Sequence, residues 1–344
     1  MKKQRIRDFG YFLDRGPTGP LNKITDVPGV KVGHTTVITK EHRTGVTVIM
    51  PCQDNPFPNK LTAAAVVHNG FGKSAGLVQI EELGTLETPI ALTNTLNVGR
   101  VHDALVDYMI EQCKKDEIEL TSLNPVVGEC NDSGLNKIQN RVVGIDEVRG
   151  AIESACEDFE EGAVGAGAGT ICFGLKGGIG SASRQLTFDG HTYTLGILVQ
   201  SNFGRTDSFC LDGKKAGKEI GPLIEKADLD RGSIMMIVAT DLPVSDRQLK
   251  RILRRTGIGL ARCGSYMGHG SGDVAIGFTT ANRVPLNGGD VVEMKILREA
   301  LLEQVFEAMA DVTEEAVLNS LAGAETVTGY QGKTRYGLTD IYEI

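Results

Sequence analysis

A serine between two glycines, directly before an alternating apolar run, is the feature of this sequence with the most distinctive chemistry. Residues Gly264 to Phe278 read GSYMGHGSGDVAIGF, and Ser271 precedes the run of a buried strand. A serine hydroxyl is a poor nucleophile unless a base lies beside it. If the chain were cut before Ser271, its new α-amine, with a reference pKa of about 7.7–8.0, could act as that base near neutral pH.

The cut could be made by the serine itself. Ser271 Oγ would attack the carbonyl carbon of Gly270, an N→O acyl shift would give an ester, and water would then release it. Glycine suits position 270 because it adopts backbone conformations that strain other residues. The same three residues, Gly270 to Gly272, are also typical of an ordinary β-turn, and the pattern alone leaves both interpretations open.

Hydrophobic periodicity predicts the elements that must position this serine. Strands are predicted at Thr88 to Leu96, at the start of 125–138, in HTYTLGILVQSNFG and in GSIMMIVATDLP. In NGFGKSAGLVQIEELG a glycine turn is predicted to lead into a helix. Further helices are predicted over Gly99 to Lys115, over Ile145 to Glu161, from Ser245 to about Arg262 with a Ser245–Gln248 capping box, and over roughly Leu297 to Ala322. The order lacks a regular βαβ rhythm, which favours a layered α+β fold over a doubly wound sheet. No repeat or linker divides residues 1–344, so we expect a single domain.

Composition excludes several classes of function. The 344 residues are 41 % hydrophobic, enough for a sizeable core, and carry a net charge of −8 without a basic stripe, so no nucleic-acid partner is expected. No run approaches the roughly 20 apolar residues of a membrane span, and the N-terminus lacks a signal-peptide core. Seven scattered cysteines without a CxxC pair predict reduced thiols and a cytoplasmic location. Six dispersed histidines predict no metal site.

Three glycine-rich stretches resemble other motifs without completing them. Residues 72–76, GKSAG, match the GxSxG expression of a hydrolase elbow, but the candidate triad histidines, His102, His191 and His269, lack a convincing context. A phosphate loop ending at Gly72-Lys73-Ser74 would need glycine where Val67 stands. The stretch GAGAGT resembles the start of a dinucleotide-binding loop. When the GxGxxG pattern is counted from Gly167, however, its third glycine position is occupied by Cys172. We therefore predict no nucleotide cofactor.

Several segments, in order along nearly the whole chain, resemble the DmpA-type aminopeptidases, which include self-processing L-aminopeptidase/D-esterases and β-peptidyl aminopeptidases. These segments are GPTGPLNKITDVPGVKVGHTT, NGFGKSAGLVQIEELGTLETPIALTNTLNVG, PVVGECND, GAGAGTICFGLKGGIGSASR, LGILVQSNFGR, GHGSGDVAIGFTTAN and TEEAVLN. The resemblance implies a four-layer αββα sandwich, akin to N-terminal-nucleophile hydrolases but with different connectivity. It also implies cleavage between Gly270 and Ser271, giving subunits 1–270 and 271–344 of one catalytic domain.

The activity implied by the resemblance is release of an N-terminal residue from a small peptide, amide or ester, without a metal or organic cofactor. A homo-oligomer of processed heterodimers, a tetramer in the family, is expected. Ser271 matches the nucleophile, and Asn202 matches the asparagine that holds the oxyanion. Glu129 matches a glutamate beside the substrate amine. Asn131 lies in a loop where members often carry an aromatic residue, so substrate preference is not transferred.

The family also places a hydroxyl residue and a glutamate, two positions apart, against the nucleophile. In the C-terminal helix these match Thr313 and Glu315, both within about 100° of Val312 on its apolar face. Glu314 points away from that face, but it becomes the acid if the alignment shifts by one. Without the family, a Glu-Glu pair on a helix is expected to face solvent.

Two rival functions stay open on the sequence. The same architecture could pass an acyl group to an amine instead of water, as an acyltransferase or amidase does. A relative that does not process itself could instead bind small amino compounds. The intact Gly270-Ser271 pair favours the self-processing serine aminopeptidase.

Overall fold

The computed structural model describes residues 4–227, 229 and 232–344. Its strands are β1 (Lys31–Ile38), β2 (Arg43–Met50), β3 (Asn59–Gly70), β4 (Thr85–Leu86), β5 (Ile90–Asn94), β6 (Val126–Cys130), β7 (Ile171–Cys172), β8 (Leu175–Lys176), β9 (Gly178–Phe188), β10 (His191–Asn202), β11 (Ser233–Thr240), β12 (Gly272–Pro285), β13 (Val327–Thr328) and β14 (Thr334–Arg335). Its helices are α1 (Leu77–Leu83), α2 (Val98–Lys115), α3 (Ile145–Glu153), α4 (Gly217–Ile220), α5 (Asp246–Leu253), α6 (Thr256–Arg262), α7 (Leu302–Ala322) and α8 (Leu338–Ile341).

Two sheets carry the fold. The smaller has the strand order β1-β2-β5-β6, and the larger has the order β4-β3-β12-β11-β10-β9. Most neighbouring strands are antiparallel, but β5 and β6 are parallel, as are β11 and β12. The strand after Ser271, β12, is therefore an interior strand, held between β3 and β11.

The sheets pack face to face with helices outside both. Leu92 from the smaller sheet and Met235 and Ile276 from the larger one belong to the buried core between the sheets. Helices α2 and α3 cover the outer face of the smaller sheet, whereas α5 and α7 cover the larger one. The predicted four-layer αββα sandwich is confirmed.

The burial of β12 follows from its position. Its alternate residues Val274 and Phe278 face the core between the sheets, and Ala275 faces the helices on the other side. Both faces of an interior strand in a covered sheet are buried, so nearly every position must be apolar or small. The polar residues at the start of this strand, Ser271 and Asp273, depart from that pattern.

Three predicted helices differ in extent from the observed ones. The helix from Ile145 ends at Glu153, because Cys156 pairs with Val32 through two backbone hydrogen bonds of 3.0 Å and draws the chain onto β1. The segment after Ser245 forms two helices, α5 and α6. Its predicted cap is confirmed, with the Gln248 N–H donating to Ser245 Oγ.

The C-terminal helix begins later than predicted, at Leu302 after a short 3₁₀ turn, and ends at Ala322 as expected. None of the helices in the described ranges is long and apolar enough to cross a membrane.

Candidate active site

Ser271 lies directly before β12 and is fully buried. Its hydroxyl donates to Asp273 Oδ1 at 2.7 Å. Residues two apart in extended chain point to the same face, so Asp273 lies beneath the serine hydroxyl. Asp273 is itself fully buried. A buried acidic side chain therefore accepts a hydrogen bond from the hydroxyl of the candidate nucleophile.

The turn before Ser271 is held by its own backbone and by Asn69. The Ser271 N–H donates to the Gly268 carbonyl at 2.8 Å. The side-chain amide of Asn69 donates to the carbonyl oxygens of Gly268, at 3.0 Å, and His269, at 3.3 Å. It also donates to the carbonyl oxygen of Ser271. One side chain thus holds carbonyl groups on both sides of the Gly270–Ser271 bond.

His269, the histidine nearest in sequence to this bond, is exposed. Its ring packs against Phe71, with 6.4 Å between the ring centroids. Within the described residues, the serine hydroxyl donates to Asp273, and no hydrogen bond joins it to His269. His269 therefore packs against Phe71 and does not hydrogen-bond the candidate nucleophile.

Asn202 is the last residue of β10, at the same edge of the larger sheet. It lies opposite Ser233 on β11, and Ser233 lies opposite Gly272 on β12. Two strand spacings place Asn202 about 10 Å from Gly272, Cα to Cα. Its Oδ1 accepts from the Ile171 N–H at 2.9 Å. Because the oxygen is engaged, the amide nitrogen is the end that can donate to a developing negative charge.

Glu129 approaches the same edge from the smaller sheet. This residue of β6 is only 3 % exposed; its Oε1 accepts from the Lys73 N–H at 3.0 Å and its Oε2 from the Thr95 hydroxyl. Gly72, in the loop between β3 and α1, lies between this glutamate and the larger sheet. A Cβ atom added to Gly72 would be 3.8 Å from Glu129 Oε1 and 3.8 Å from Gly272 Cα. The structure thus brings Glu129 close to the residues that follow Ser271.

Asn131 lies two residues beyond Glu129, in the loop after β6. It is exposed, and its Oδ1 accepts from the Ser133 N–H at 3.0 Å. The loop is therefore shaped by a local side-chain-to-backbone turn. Its exposure places Asn131 at the outside of the site.

Thr313 and Glu315 do not join this group. The Thr313 hydroxyl donates to the Met309 carbonyl at 2.7 Å, within α7. Glu315 accepts from Arg184 on β9 at 2.6 Å. Gly178 on β9 lies opposite Ser201, the residue before Asn202, and Arg184 is six residues further along β9. At about 3.3 Å per residue, Arg184 is about 20 Å along the sheet from that edge.

The expectation that, without the family, the pair Glu314 and Glu315 faces solvent is wrong. Glu314 is 2 % exposed and pairs with Arg15 at 2.8 Å, while Glu315 is fully buried against Arg7 and Arg184. The physical reason is that an N-terminal arm, residues 5–26, covers the side of α7 that a lone helix would leave to water. Periodicity within one helix does not reveal such a cover.

The electrostatics of Glu315 follow from this burial. Burial alone would raise the pKa of Glu315, but the hydrogen bond from Arg7 and the charges of Arg184 and Arg7 outweigh it and hold the pKa below its ordinary value. Glu315 is therefore an ionised member of a buried ion cluster in this chain.

Sequence reasoning missed three residues that contact the site: Asp273, Asn69 and Thr95. The signal for Asp273 was present, since a strand places residues two apart on one face. No comparable signal marks Asn69 or Thr95, which reach the site from other strands. Among the described residues, no cluster of His, Cys, Asp and Glu could hold a metal ion.

Solved structures of known proteins share this architecture over nearly the whole chain. A Pyrococcus horikoshii protein is 45 % identical, with a TM-score of 0.92 over 97 % of this chain and 96 % of its own. The L-aminopeptidase D-Ala-esterase/amidase of Ochrobactrum anthropi is 35 % identical, with a TM-score of 0.90 over 97 % and 95 %. The latter is described as a prototype of the serine aminopeptidases and a new variant of the Ntn hydrolase fold. The fold is thus that of an Ntn-type hydrolase variant.

The chain belongs to peptidase family S58, whose model matches residues 22–335. The β-peptidyl aminopeptidase BapA of Sphingosinicella xenopeptidilytica is 36 % identical over 97 % of this chain and 88 % of its own. The family resemblance inferred from the sequence is confirmed, and with it membership of a hydrolase family.

Proposed function

We propose that this chain is a self-processing serine aminopeptidase that releases N-terminal residues from small peptides, amides or esters. The observation that carries the proposal is the position of Ser271, at the start of an interior strand and on an edge that Asn202 and Glu129 also approach. The named activities of the similar proteins, β-peptidyl aminopeptidase and L-aminopeptidase, agree with this substrate class.

In the proposed maturation, Ser271 Oγ attacks the carbonyl carbon of Gly270. The bond to Ser271 N breaks, an ester to Oγ forms, and water hydrolyses that ester. The products are a chain ending at Gly270 and a chain beginning at Ser271 with a free amine. Near neutral pH part of this amine is unprotonated, so it can take the hydroxyl proton in later turnovers.

In the proposed turnover, the substrate carbonyl lies at Ser271 Oγ and the substrate ammonium group lies toward Glu129. The Asn202 amide donates to the oxyanion, which stabilises charge that develops only in the transition state. The amine or alcohol leaves, and water hydrolyses the acyl-enzyme. A free amino terminus is required because it supplies the charge that Glu129 recognises.

The test is the mass and activity of the purified chain. We expect fragments of residues 1–270 and 271–344, and hydrolysis of small amino-acid amides. Ser271→Ala should remain full length and inactive. Ser74→Ala is the matched control, because Ser74 carries the rival GxSxG interpretation and its hydroxyl contacts Met235 Sδ at 3.6 Å. A full-length, inactive wild type, or cleavage at this bond in Ser271→Ala, would contradict the proposal.

A further inference from the structure

Self-cleavage needs a different base from the one that serves later turnovers. This inference rests on the proposed function. Before the cut, the nitrogen of Ser271 is part of a peptide bond and donates its N–H to Gly268. An amide nitrogen has no basic lone pair, so the α-amine that would serve the mature enzyme does not yet exist.

Among the residues that the structure describes, the group that accepts a hydrogen bond from the serine hydroxyl in the uncut chain is the side chain of Asp273. The hydroxyl donates to Asp273 Oδ1 at 2.7 Å, and both residues are fully buried. A general base must lie within hydrogen-bond reach of the proton that it removes. Asp273 meets that geometric requirement directly, without an intervening water.

Two other titratable side chains that the structure describes near this edge, those of His269 and Glu129, are engaged elsewhere. His269 is exposed and packs against Phe71. Glu129 accepts from the backbone of Lys73 and from Thr95. We propose that Asp273 is the general base of self-cleavage: it activates Ser271 for the single attack that creates the N-terminal amine.

Ser271 Oγ forms a bond to the carbonyl carbon of Gly270 while its proton passes to the Asp273 carboxylate. The bond between that carbon and Ser271 N breaks, and the proton passes from Asp273 to the departing amine. Water then hydrolyses the ester, which restores the Ser271 hydroxyl and leaves a carboxylate on Gly270.

Asn69 holds the turn that contains the bond to be cut. By holding the carbonyl groups of Gly268, His269 and Ser271, Asn69 fixes the turn on both sides of the scissile bond. The carbonyl of Gly270 is the one within this turn that Asn69 does not hold, so its carbon can change geometry during the attack. Asn69 is a positioning residue in this scheme.

The experiment follows the first-order rate of self-cleavage by intact mass, starting from freshly refolded full-length chain. Wild type is compared with Asp273→Asn and with Asp273→Ala, which removes the carboxylate without adding volume. Asp241→Asn is the matched control, because Asp241 follows β11 at its far end and accepts from the Thr194 N–H. Each reaction is run with and without hydroxylamine, which cleaves esters.

We expect both Asp273 variants to cleave about 100-fold or more slowly than wild type, the usual contribution of a general base. Asp241→Asn should cleave at the wild-type rate. Hydroxylamine should not restore the variants, because the ester does not form. Thermal melting of each refolded chain identifies a variant that has not folded, and the other Asp273 variant then carries the test.

Either of two results would overturn the assignment: a folded Asp273 variant that cleaves at the wild-type rate, or one whose cleavage hydroxylamine restores. The second result would mean that the acyl shift proceeds without the carboxylate. Failure of the proposed function is a separate outcome, because in that case wild type itself would not cleave before Ser271.

Discussion

At the scale of single residues, Glu129 is a buried acidic side chain that accepts two hydrogen bonds. Glu129→Gln keeps one acceptor oxygen, which can still accept from the Lys73 N–H, and places an amide NH2 against the Thr95 hydroxyl, which can accept from it. The substitution removes the charge that would pair with a substrate ammonium group. We expect kcat/KM for an amino-acid amide to fall about 10- to 100-fold, as for loss of a hydrogen bond to a charged group.

A matched ester without an amino group distinguishes recognition from general damage. Its kcat/KM in Glu129→Gln should stay close to the wild-type value. An equal loss of kcat/KM on the two substrates would show that Glu129 does not recognise the substrate amine.

Asn202 makes a second prediction at this scale. Asn202→Ala removes the proposed oxyanion donor, so kcat should fall about 100- to 1,000-fold while KM changes little. Steady-state kinetics on processed enzyme measures both constants. Asn131→Ala, in the exposed loop, is the comparison and should change KM more than kcat. A wild-type kcat in Asn202→Ala would contradict the oxyanion role.

At the scale of elements, α7 is stabilised by ion pairs that reach it from distant parts of the chain. Glu315→Gln leaves Arg184, which is 2 % exposed, without its charge partner. Removing one member of a buried pair costs about 3–5 kcal/mol of unfolding free energy. Urea unfolding of the two proteins measures this difference.

Glu299→Gln is the matched control, because Glu299 pairs with Arg247 and Arg251 at the surface, where solvent screens such pairs and they add little to the free energy of unfolding. The same variant tests the role that the family assigns to Glu315. Wild-type stability together with a large loss of kcat in Glu315→Gln would favour contact with the nucleophile over a structural role.

The lowered pKa of Glu315 predicts the direction of an acid effect. Its folded-state pKa is below the ordinary value of 4.5, so the cluster's contribution is fully present above about pH 4.5 and is lost as the pH falls through the folded-state pKa. The unfolding free energy of wild type should therefore fall more steeply than that of Glu315→Gln below pH 4.5. Denaturant unfolding at several acidic pH values measures the two slopes, and parallel slopes would contradict the prediction.

At the scale of the whole molecule, the proposed fragments cannot separate without breaking the larger sheet. Strand β12, from the second fragment, lies between β3 and β11 of the first, and α7 packs on β9 and β10. We expect a processed sample to give two chains in denaturant and one particle without it, measured by mass spectrometry under both conditions. Separate fragments in native buffer would contradict this arrangement. A native mass at a multiple of the heterodimer would support the expected homo-oligomer.

The sequence by itself determined the features that depend on local pattern. Alternating apolar residues marked the strand after Ser271, and Ser245 with Gln248 marked the start of a helix. The ordered segments identified the family and therefore the αββα sandwich. Asp273 was not singled out from the sequence, although the two-residue period of a strand places it on the same face as Ser271 and could have identified it.

Only the tertiary structure decided what surrounds those residues. Asn69 reaches the carbonyl of Ser271 from 202 positions away, and Arg7 reaches Glu315 from 308 positions away. The early end of α3 depends on pairing between Cys156 and Val32. The physical reason is common to all three. Hydrogen bonds and ion pairs form between groups that folding brings together, whereas periodicity records only which face of one element is buried.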